Sequence, residues 1–333
     1  MPELRRDPVV GRWVIVAPER ADRPNAVVRT LPDQDDPASC PFCPGHEAIT
    51  PPELLVRRDN AGPPNGPGWT LRVVPNRFPA LRTEERMVRA GLGMYDAMGG
   101  VGAHEVIIET PEHARAMPQQ SPEQVEQVLR AAQERILDLS RDVRLRSVLF
   151  FKNSGAASGA TLSHPHSQIV ALPLVPTELQ QELAGAERHY EEKERCIFCD
   201  ILAQEARERS RVVLETDGFM ALSPWAARGP FELLVLPREH RSIFEQSTAA
   251  ELRGLSEALR LSLRKLDLAL GKPAYNFYLH TLPLREPPSD WYHWHLEVRP
   301  ILALAAGFEW GSGLFVNPTP PEEAAAFLRQ TEA

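Results

Sequence analysis

The chain writes one succession of landmarks twice, and any fold has to satisfy it both times. A Cys-x-Phe-Cys knuckle opens each unit, at Cys40 to Cys43 and at Cys196 to Cys199. An alternating apolar run follows, "HEVIIETPEH" over 104–113 and "FELLVLPREH" over 231–240. The two align without gaps, placing His104 opposite Phe231, and each reads as a strand closed by a turn and a histidine. Next comes an amphipathic helix. Over 121–140, Ser121 is the N-cap, Pro122 opens the first turn, and Val125, Val128, Leu129, Ala132, Ile136 and Leu139 form one stripe. Over 248–270 a similar leucine and alanine stripe stops at Gly271. A short strand follows in each, "RSVLFFK" or "AYNFYLH", and then a His-x-His segment, "HPHSQIVALP" (164–173) or "HWHLEVRPIL" (293–302). The step from the turn histidine to His-x-His is 51 residues in the first unit and 53 in the second. A repeat of this length is a duplicated domain rather than a solenoid. The expectation is an α+β fold of two similar halves, with antiparallel sheets and packed helices, over 1–175 and 176–333. A charged connector over 174–195 joins them. The first half is longer between its knuckle and its turn histidine, and residues 51–103 read as an insertion.

Equivalent positions supply two four-ligand sets: Cys40, Cys43, His113 and His164, and Cys196, Cys199, His240 and His293. Thiolates and imidazoles in this ratio suit a closed tetrahedral zinc site. A CxxC pair alone also fits a redox dithiol or buried cysteines, and a strand-closing histidine also fits a turn cap. Recurrence of the whole set at matched places favours zinc at both sites, with His104 the reserve ligand. All four cysteines of the chain lie in the two knuckles, which suits a reducing compartment. The N-terminus lacks the apolar core of a signal peptide and no run reaches the length of a membrane span. The expected location is the cytoplasm, with no membrane partner. A net charge of -8 argues against a nucleic-acid partner.

On an extended segment alternate residues share a face, so His164, His166 and Gln168 point the same way. With His164 on the metal, His166 sits beside it with no metal role. A neutral imidazole there is a nucleophile or base. The preceding "NSGAASGATLS" (153–163) is rich in glycine and small residues, able to turn backbone N–H groups towards phosphate oxygens. Gln168 can donate its amide to such an oxygen as charge builds. An imidazole attacking phosphorus gives a phosphoramidate, hence covalent catalysis in two halves. The second unit has Glu297 where Gln168 stands and no glycine in the loop before it. One chemical site is expected, in the first half, with a copy that keeps only its metal.

"NSGAASGATLSHPHSQI" resembles the signature of the galactose-1-phosphate uridylyltransferases, a branch of the histidine-triad superfamily, and the resemblance spans nearly the whole chain. "DPVVGRWVIVAPERADRP", "VVPNRFPAL" (73–81), "TPEH" (110–113) and "GFE" (307–309) are similar to further segments of that family. The resemblance implies that His166 takes UMP from UDP-glucose, releasing glucose 1-phosphate, and that galactose 1-phosphate accepts it to give UDP-galactose. It implies that Gln168 holds the phosphoryl group, with Asn153, Gly155 and Thr161 around the phosphates. Arg20 and Arg23 would bind the nucleotide phosphates, Asn76 the nucleotide and Glu309 the hexose. It further implies a homodimer of two histidine-triad-like halves. Ser167 replaces the glycine of the best-known members, and "GFEWGSGLFVNP" differs from their sugar-binding stretch. Both features resemble a branch that includes ADP-glucose phosphorylase, which forms an adenylyl-histidine and uses phosphate as acceptor. The second CxxC favours zinc over the iron of some relatives. A histidine-triad nucleotide hydrolase would use the same HPHSQ strand and let water take the nucleotidyl group.

Overall fold

The computed structural model describes residues 1–22, 36–59 and 62–333. Its strands are β1 (Glu3–Arg6), β2 (Trp13–Val16), β3 (Leu55–Arg58), β4 (Trp69–Pro75), β5 (Arg89–Leu92), β6 (Tyr95–Met98), β7 (Ala103–Ile108), β8 (Ser147–Ser154), β9 (His166–Leu172), β10 (Val212–Thr216), β11 (Phe219–Leu222), β12 (Leu233–Pro237), β13 (Tyr275–His280), β14 (His295–Pro300) and β15 (Phe315–Asn317). The α-helices are α1 (Pro122–Leu139), α2 (Thr177–Lys193), α3 (Ile197–Glu208), α4 (Ala249–Leu270), α5 (Gly307–Ser312) and α6 (Pro321–Gln330).

Ten strands make one antiparallel sheet in the order β10-β11-β12-β14-β13-β8-β9-β7-β4-β3. Read outwards from the β8–β13 pair, the two sides repeat one order of strands. The expected α+β architecture is present, with both copies sharing a continuous sheet. Phe277 pairs with Lys152 at the join. The small sheet β1-β2-β15 and the β5-β6 hairpin lie outside it.

Side-chain alternation sorts each strand between two faces. On β9, Ile169 and Ala171 enter the main core, while His166 and Gln168 take the other face. On β14, Leu296 and Val298 enter the same core and leave His295 and Glu297 opposite. Helices α1 and α4 cover the core face. The Ser121 hydroxyl accepts the Gln124 N–H as N-cap of α1, and Gly271 ends α4 at φ 72. The α1 stripe residues Val125, Val128, Leu129 and Ile136 are all at most 1% exposed, worth about 2 kcal/mol each against exposure.

Strand register corrects two expectations. β3 and β4 are main-sheet strands matching β10 and β11, so 51–103 is not an insertion as a whole. The added length lies between β4 and β7, where the hairpin sits, and between β3 and β4. Val106 faces Gln168 across the sheet, and Leu234 faces Glu297. With Gln168 and Glu297 equivalent, His104 matches Glu232 rather than Phe231. The gapless alignment is one residue out along the strand and regains register at the turn histidine.

On the other face the halves differ. Over the second half, α2 and α3 close with Leu179, Ala186, Phe198 and Leu202 against Leu234 and Leu236. The charged connector therefore has a structural task. The first half carries a smaller cluster there, Trp69, Val74, Val106 and Ile108 with Phe42 packed on it.

Candidate active site and metal-binding groups

Cys40, Cys43, His113 and His164 bring their ligand atoms within 4.8 Å of one another, as do Cys196, Cys199, His240 and His293. Each group could hold a metal ion. His104 belongs to neither, which removes it as reserve ligand. In the first group Cys43 Sγ lies 3.3 Å from His113 Nδ1 and 3.5 Å from His164 Nδ1, and Cys40 Sγ is 3.7 Å from the latter. In the second, Cys199 Sγ lies 3.4 Å from His240 Nδ1 and 3.6 Å from His293 Nδ1. Two of the far ring nitrogens are held by backbone: His164 Nε2 donates to the Thr110 carbonyl at 2.8 Å and His240 Nε2 to that of Ser289 at 2.9 Å. Such bonds turn Nδ1 towards the sulfurs. Burial pushes the His164 pKa down to about 4, so the ring is a neutral donor at neutral pH. A hydrogen bond from Cys199, then those from His240 and His293, hold the Cys196 thiol down to about 3. Its partner Cys199 is pushed up, chiefly by its hydrogen bond to Cys196 and then by burial. Two sulfurs this close do not both ionise unless a cation lies between them.

His166 opens β9 two residues past His164. It is 7% exposed and borders a cavity of about 260 Å³ lined by Asn153, Gly155, Ser163 and His164 among others. Its Nδ1–H donates to the His164 carbonyl at 2.8 Å. That bond fixes the tautomer and leaves the lone pair on Nε2. Phe42, the aromatic residue of the first knuckle, packs edge-on at 5.3 Å between ring centroids. The knuckle thus fixes the imidazole plane from a second side. Gly155 follows β8 at φ 82, and a Cβ there would come within 2.9 Å of the Ala274 methyl, so only glycine fits.

A buried charge pair lies against the backbone of His166. Lys152 Nζ donates to Glu109 Oε1 at 2.8 Å and to the His166 carbonyl at 2.9 Å. The lysine side chain is 2% exposed and the carboxylate 0%. Ser167 is fully buried and donates its hydroxyl to the same carboxylate oxygen. It therefore faces away from the His166 cavity.

The second half preserves the outline and changes the contents. His295 Nδ1–H donates to the His293 carbonyl at 3.0 Å, as at His166, and Phe198 of the second knuckle packs on it at 4.8 Å. The neighbouring cavity, about 340 Å³, is larger than that beside His166. Acids and cations border it. Glu182 of α2 accepts from His280 at 2.9 Å and from the Tyr292 hydroxyl at 2.6 Å. Arg228 bridges Glu232 and Glu297. Glu182, His280, His295 and Glu297 form a third group with polar atoms within 4.8 Å. Burial pushes His295 down, but Glu182 and then Glu297 lift its pKa to about 9. An imidazole held as a cation is no nucleophile.

Two family models match the chain: "Galactose-1-phosphate uridyl transferase, N-terminal domain" over residues 1–176, and the corresponding C-terminal domain over residues 151–306. The chain belongs to the galactose-1-phosphate uridyl transferase family. It is 36% identical over 335 residues to an ADP-glucose phosphorylase of Arabidopsis thaliana, covering 99% of this chain and 93% of that protein. It is 30% identical over 341 residues to a galactose-1-phosphate uridylyltransferase of Thermotoga maritima, covering 100% of this chain and 99% of that one. Among solved structures, an Arabidopsis thaliana ADP-glucose phosphorylase with bound ADP-glucose superposes at a TM-score of 0.84, with 35% identity and coverage of 100% and 99%. A uridylyltransferase structure reaches 0.78 with 29% identity and coverage of 99% and 98%. The family is one of nucleotidyltransferases.

The remaining expected residues of this family member are dispersed. Asn153 lines the His166 cavity and accepts from Asn276 Nδ2 at 2.7 Å. Gln168 accepts at Oε1 from His104 Nε2 at 2.7 Å. Asn76 lies 3.1 Å from the same His104 nitrogen. Thr161 is exposed on the loop before His164, and Arg20 is exposed on a 3-10 turn over Pro18–Asp22. Arg23 lies outside the described residues. Glu309 accepts the Ala306 N–H at 2.9 Å and so caps its own helix, α5. Sequence reading missed Lys152, Glu109 and Phe42. A glutamate closing the apolar run "HEVIIE" and a lysine closing "SVLFFK" were the available signals. Among the described residues, no helix is long and apolar enough to cross a membrane.

Proposed function

We propose that this enzyme transfers a nucleoside monophosphate from a sugar nucleotide through a covalent adduct on His166, and that its donor is ADP-glucose. The carrying observation is the fixed His166 tautomer: Nδ1–H is held by the His164 carbonyl, so the lone pair is on Nε2 at the edge of a glycine-bordered cavity. In the first step Nε2 attacks the α-phosphorus. A P–N bond forms, the bond to the bridging oxygen breaks, and glucose 1-phosphate leaves with the electron pair. In the second step an oxygen of inorganic phosphate attacks the same phosphorus, the P–N bond breaks, ADP forms and the imidazole is restored. Gln168, Asn153 and Gly155 serve the phosphoryl oxygens. Arg20 and Arg23 are assigned to nucleotide phosphates, Asn76 to the nucleoside and Thr161 to the phosphate loop.

Higher full-length identity to an ADP-glucose phosphorylase, 36% against 30% for the Thermotoga maritima uridylyltransferase, supports adenosine as the nucleoside. Ser167 adds nothing to that choice, because it is buried against Glu109. The second reading is uridylyl transfer from UDP-glucose to galactose 1-phosphate, with Glu309 on the hexose. End-to-end coverage of the uridylyltransferase favours it.

Zinc is proposed for both Cys₂His₂ groups. Tetrahedral zinc with bonds of about 2.3 Å to sulfur and about 2.0 Å to nitrogen sets S and N about 3.5 Å apart. The observed separations run from 3.3 to 3.7 Å. When bound, the ion supplies a fixed anchor for His164. The two histidine-triad-like halves, 1–175 and 176–333, are proposed as domains, and the assembly as a homodimer. The apolar tip of the β5-β6 hairpin, with Leu92 and Met94 exposed, supports a partner surface.

The test is intact mass after incubation with ADP-glucose or UDP-glucose. ADP-glucose is expected to add one AMP to the wild-type chain and nothing to His166→Gly. Labelling by UDP-glucose alone supports the second reading, and labelling by neither overturns both.

A further inference from the structure

Gln168 has a problem that strand placement does not solve. The last torsion of a glutamine is soft and nearly two-fold, so its oxygen and nitrogen exchange places at little cost. For a phosphoryl group the two orientations are opposites: N–H donates to its oxygens, and C=O repels them. Something must choose between them.

The neighbours of His104 make that choice. Its Nδ1 accepts the Ala80 N–H at 3.2 Å. The ring proton is therefore on Nε2, and Nε2 lies 2.7 Å from Gln168 Oε1. Asn76 Nδ2 approaches the same nitrogen at 3.1 Å, but Asn76 is oriented by the Phe78 N–H at its own Oδ1. Of the two amides, only Gln168 offers Nε2–H an acceptor. The segment is tied to the His104 main chain as well, since the Asn76 N–H donates to the His104 carbonyl at 2.8 Å. The segment 76–80 thus wraps the ring and fixes its tautomer.

The second half is a built-in comparison. By register, His104 and Gln168 correspond to Glu232 and Glu297. Both positions differ together, and the two acids are joined through Arg228. An amide needing a fixed orientation has a histidine; a carboxylate, which has no orientation to choose, has none.

We infer that His104 is a positioning residue for Gln168: its Nε2–H holds Oε1, so the Gln168 amide N–H groups are directed at the transferring phosphoryl group. The inference rests on the nucleotidyl-His166 reading above. It also ties segment 76–80 to the chemistry, because that segment sets the tautomer.

The experiment is rapid-quench measurement of nucleotidyl-enzyme formation with ADP-glucose and UDP-glucose, on full-length metal-replete protein. Wild type, His104→Ala, His104→Gln, Gln168→Ala and the His104→Ala/Gln168→Ala double variant are compared. His104→Ala is expected to slow adduct formation by about 10- to 100-fold, the cost of a misdirected group. Its effect on donor KM should stay within about threefold. His104→Gln, whose amide N–H can still donate to Oε1, should recover most of the rate. In the Gln168→Ala background the His104→Ala change should cost less than about twofold, since its object is gone. Equal cost in both backgrounds, or no cost in wild type, overturns the inference and leaves the reaction standing. Absence of any wild-type adduct with either donor overturns the reaction, and the inference with it.

Discussion

Replacing Lys152 with methionine removes the cation from a pair with its carboxylate fully buried. Glu109 is left with the Ser167 hydroxyl at Oε1 and a long contact of 3.4 Å from Gln120 to Oε2. Breaking a buried pair on one side costs about 3–5 kcal/mol, because the remaining charge stays desolvated. Unfolding entropy of about 2.1 cal/mol/K per residue over 333 residues gives about 0.7 kcal/mol/K. The Tm should therefore fall by about 4–7 °C. The decisive comparison is Lys152→Met/Glu109→Leu, which removes both charges. It forfeits the bonds to Ser167 and to the His166 carbonyl, about 1 kcal/mol each, but strands no ion. The double variant should melt above the Lys152→Met single variant. Calorimetry at neutral pH, with metal content checked for each protein, measures this. A double variant whose loss equals the sum of the two single losses refutes the coupling, and a single loss under about 1 °C refutes the burial argument.

Two further outcomes follow from other groups. Cys40→Ser and Cys196→Ser should each remove one equivalent of bound metal by elemental analysis, but only Cys40→Ser should abolish the nucleotidyl adduct, because its group shares the His164–His166 segment. Burial, opposed by Lys272, raises the Asp267 pKa from an ordinary 3.8 to about 6. The folded state then binds the proton more tightly than the unfolded chain, so this group destabilises progressively as pH rises from about 3.8 to about 6 and fully above that. Asp267→Asn should raise Tm at neutral pH and lose that advantage at the acid end of the window; an equal gain at both ends contradicts the assignment.

Much of this site is written in short-range pattern. The CxFC knuckles and His-x-His segments are each compact, so their grouping follows once the repeat is seen. Placement across strands was less legible. Gapless matching put His104 opposite Phe231, because a one-residue difference lies hidden between strand and turn histidine, and only hydrogen-bonded register exposes it. The connector read as charged, yet its burial of Glu182 under His280 depends on packing that sequence spacing does not encode. Lys152 and Glu109 are 43 residues apart and meet only because β8, which carries the lysine, and β7, which ends one residue before the glutamate, flank β9. Ser167 looked like a mark of substrate choice. Alternation along β9 turns it to the buried face.

The most direct test of the account is peptide mapping of the trapped nucleotidyl-enzyme by tandem mass spectrometry under alkaline conditions that preserve a P–N bond. The account predicts a single modified residue, His166, carrying AMP after exposure to ADP-glucose. A nucleotide found on His164, on His295 or on any other residue contradicts it, as does turnover of the donor with His166 replaced by glycine.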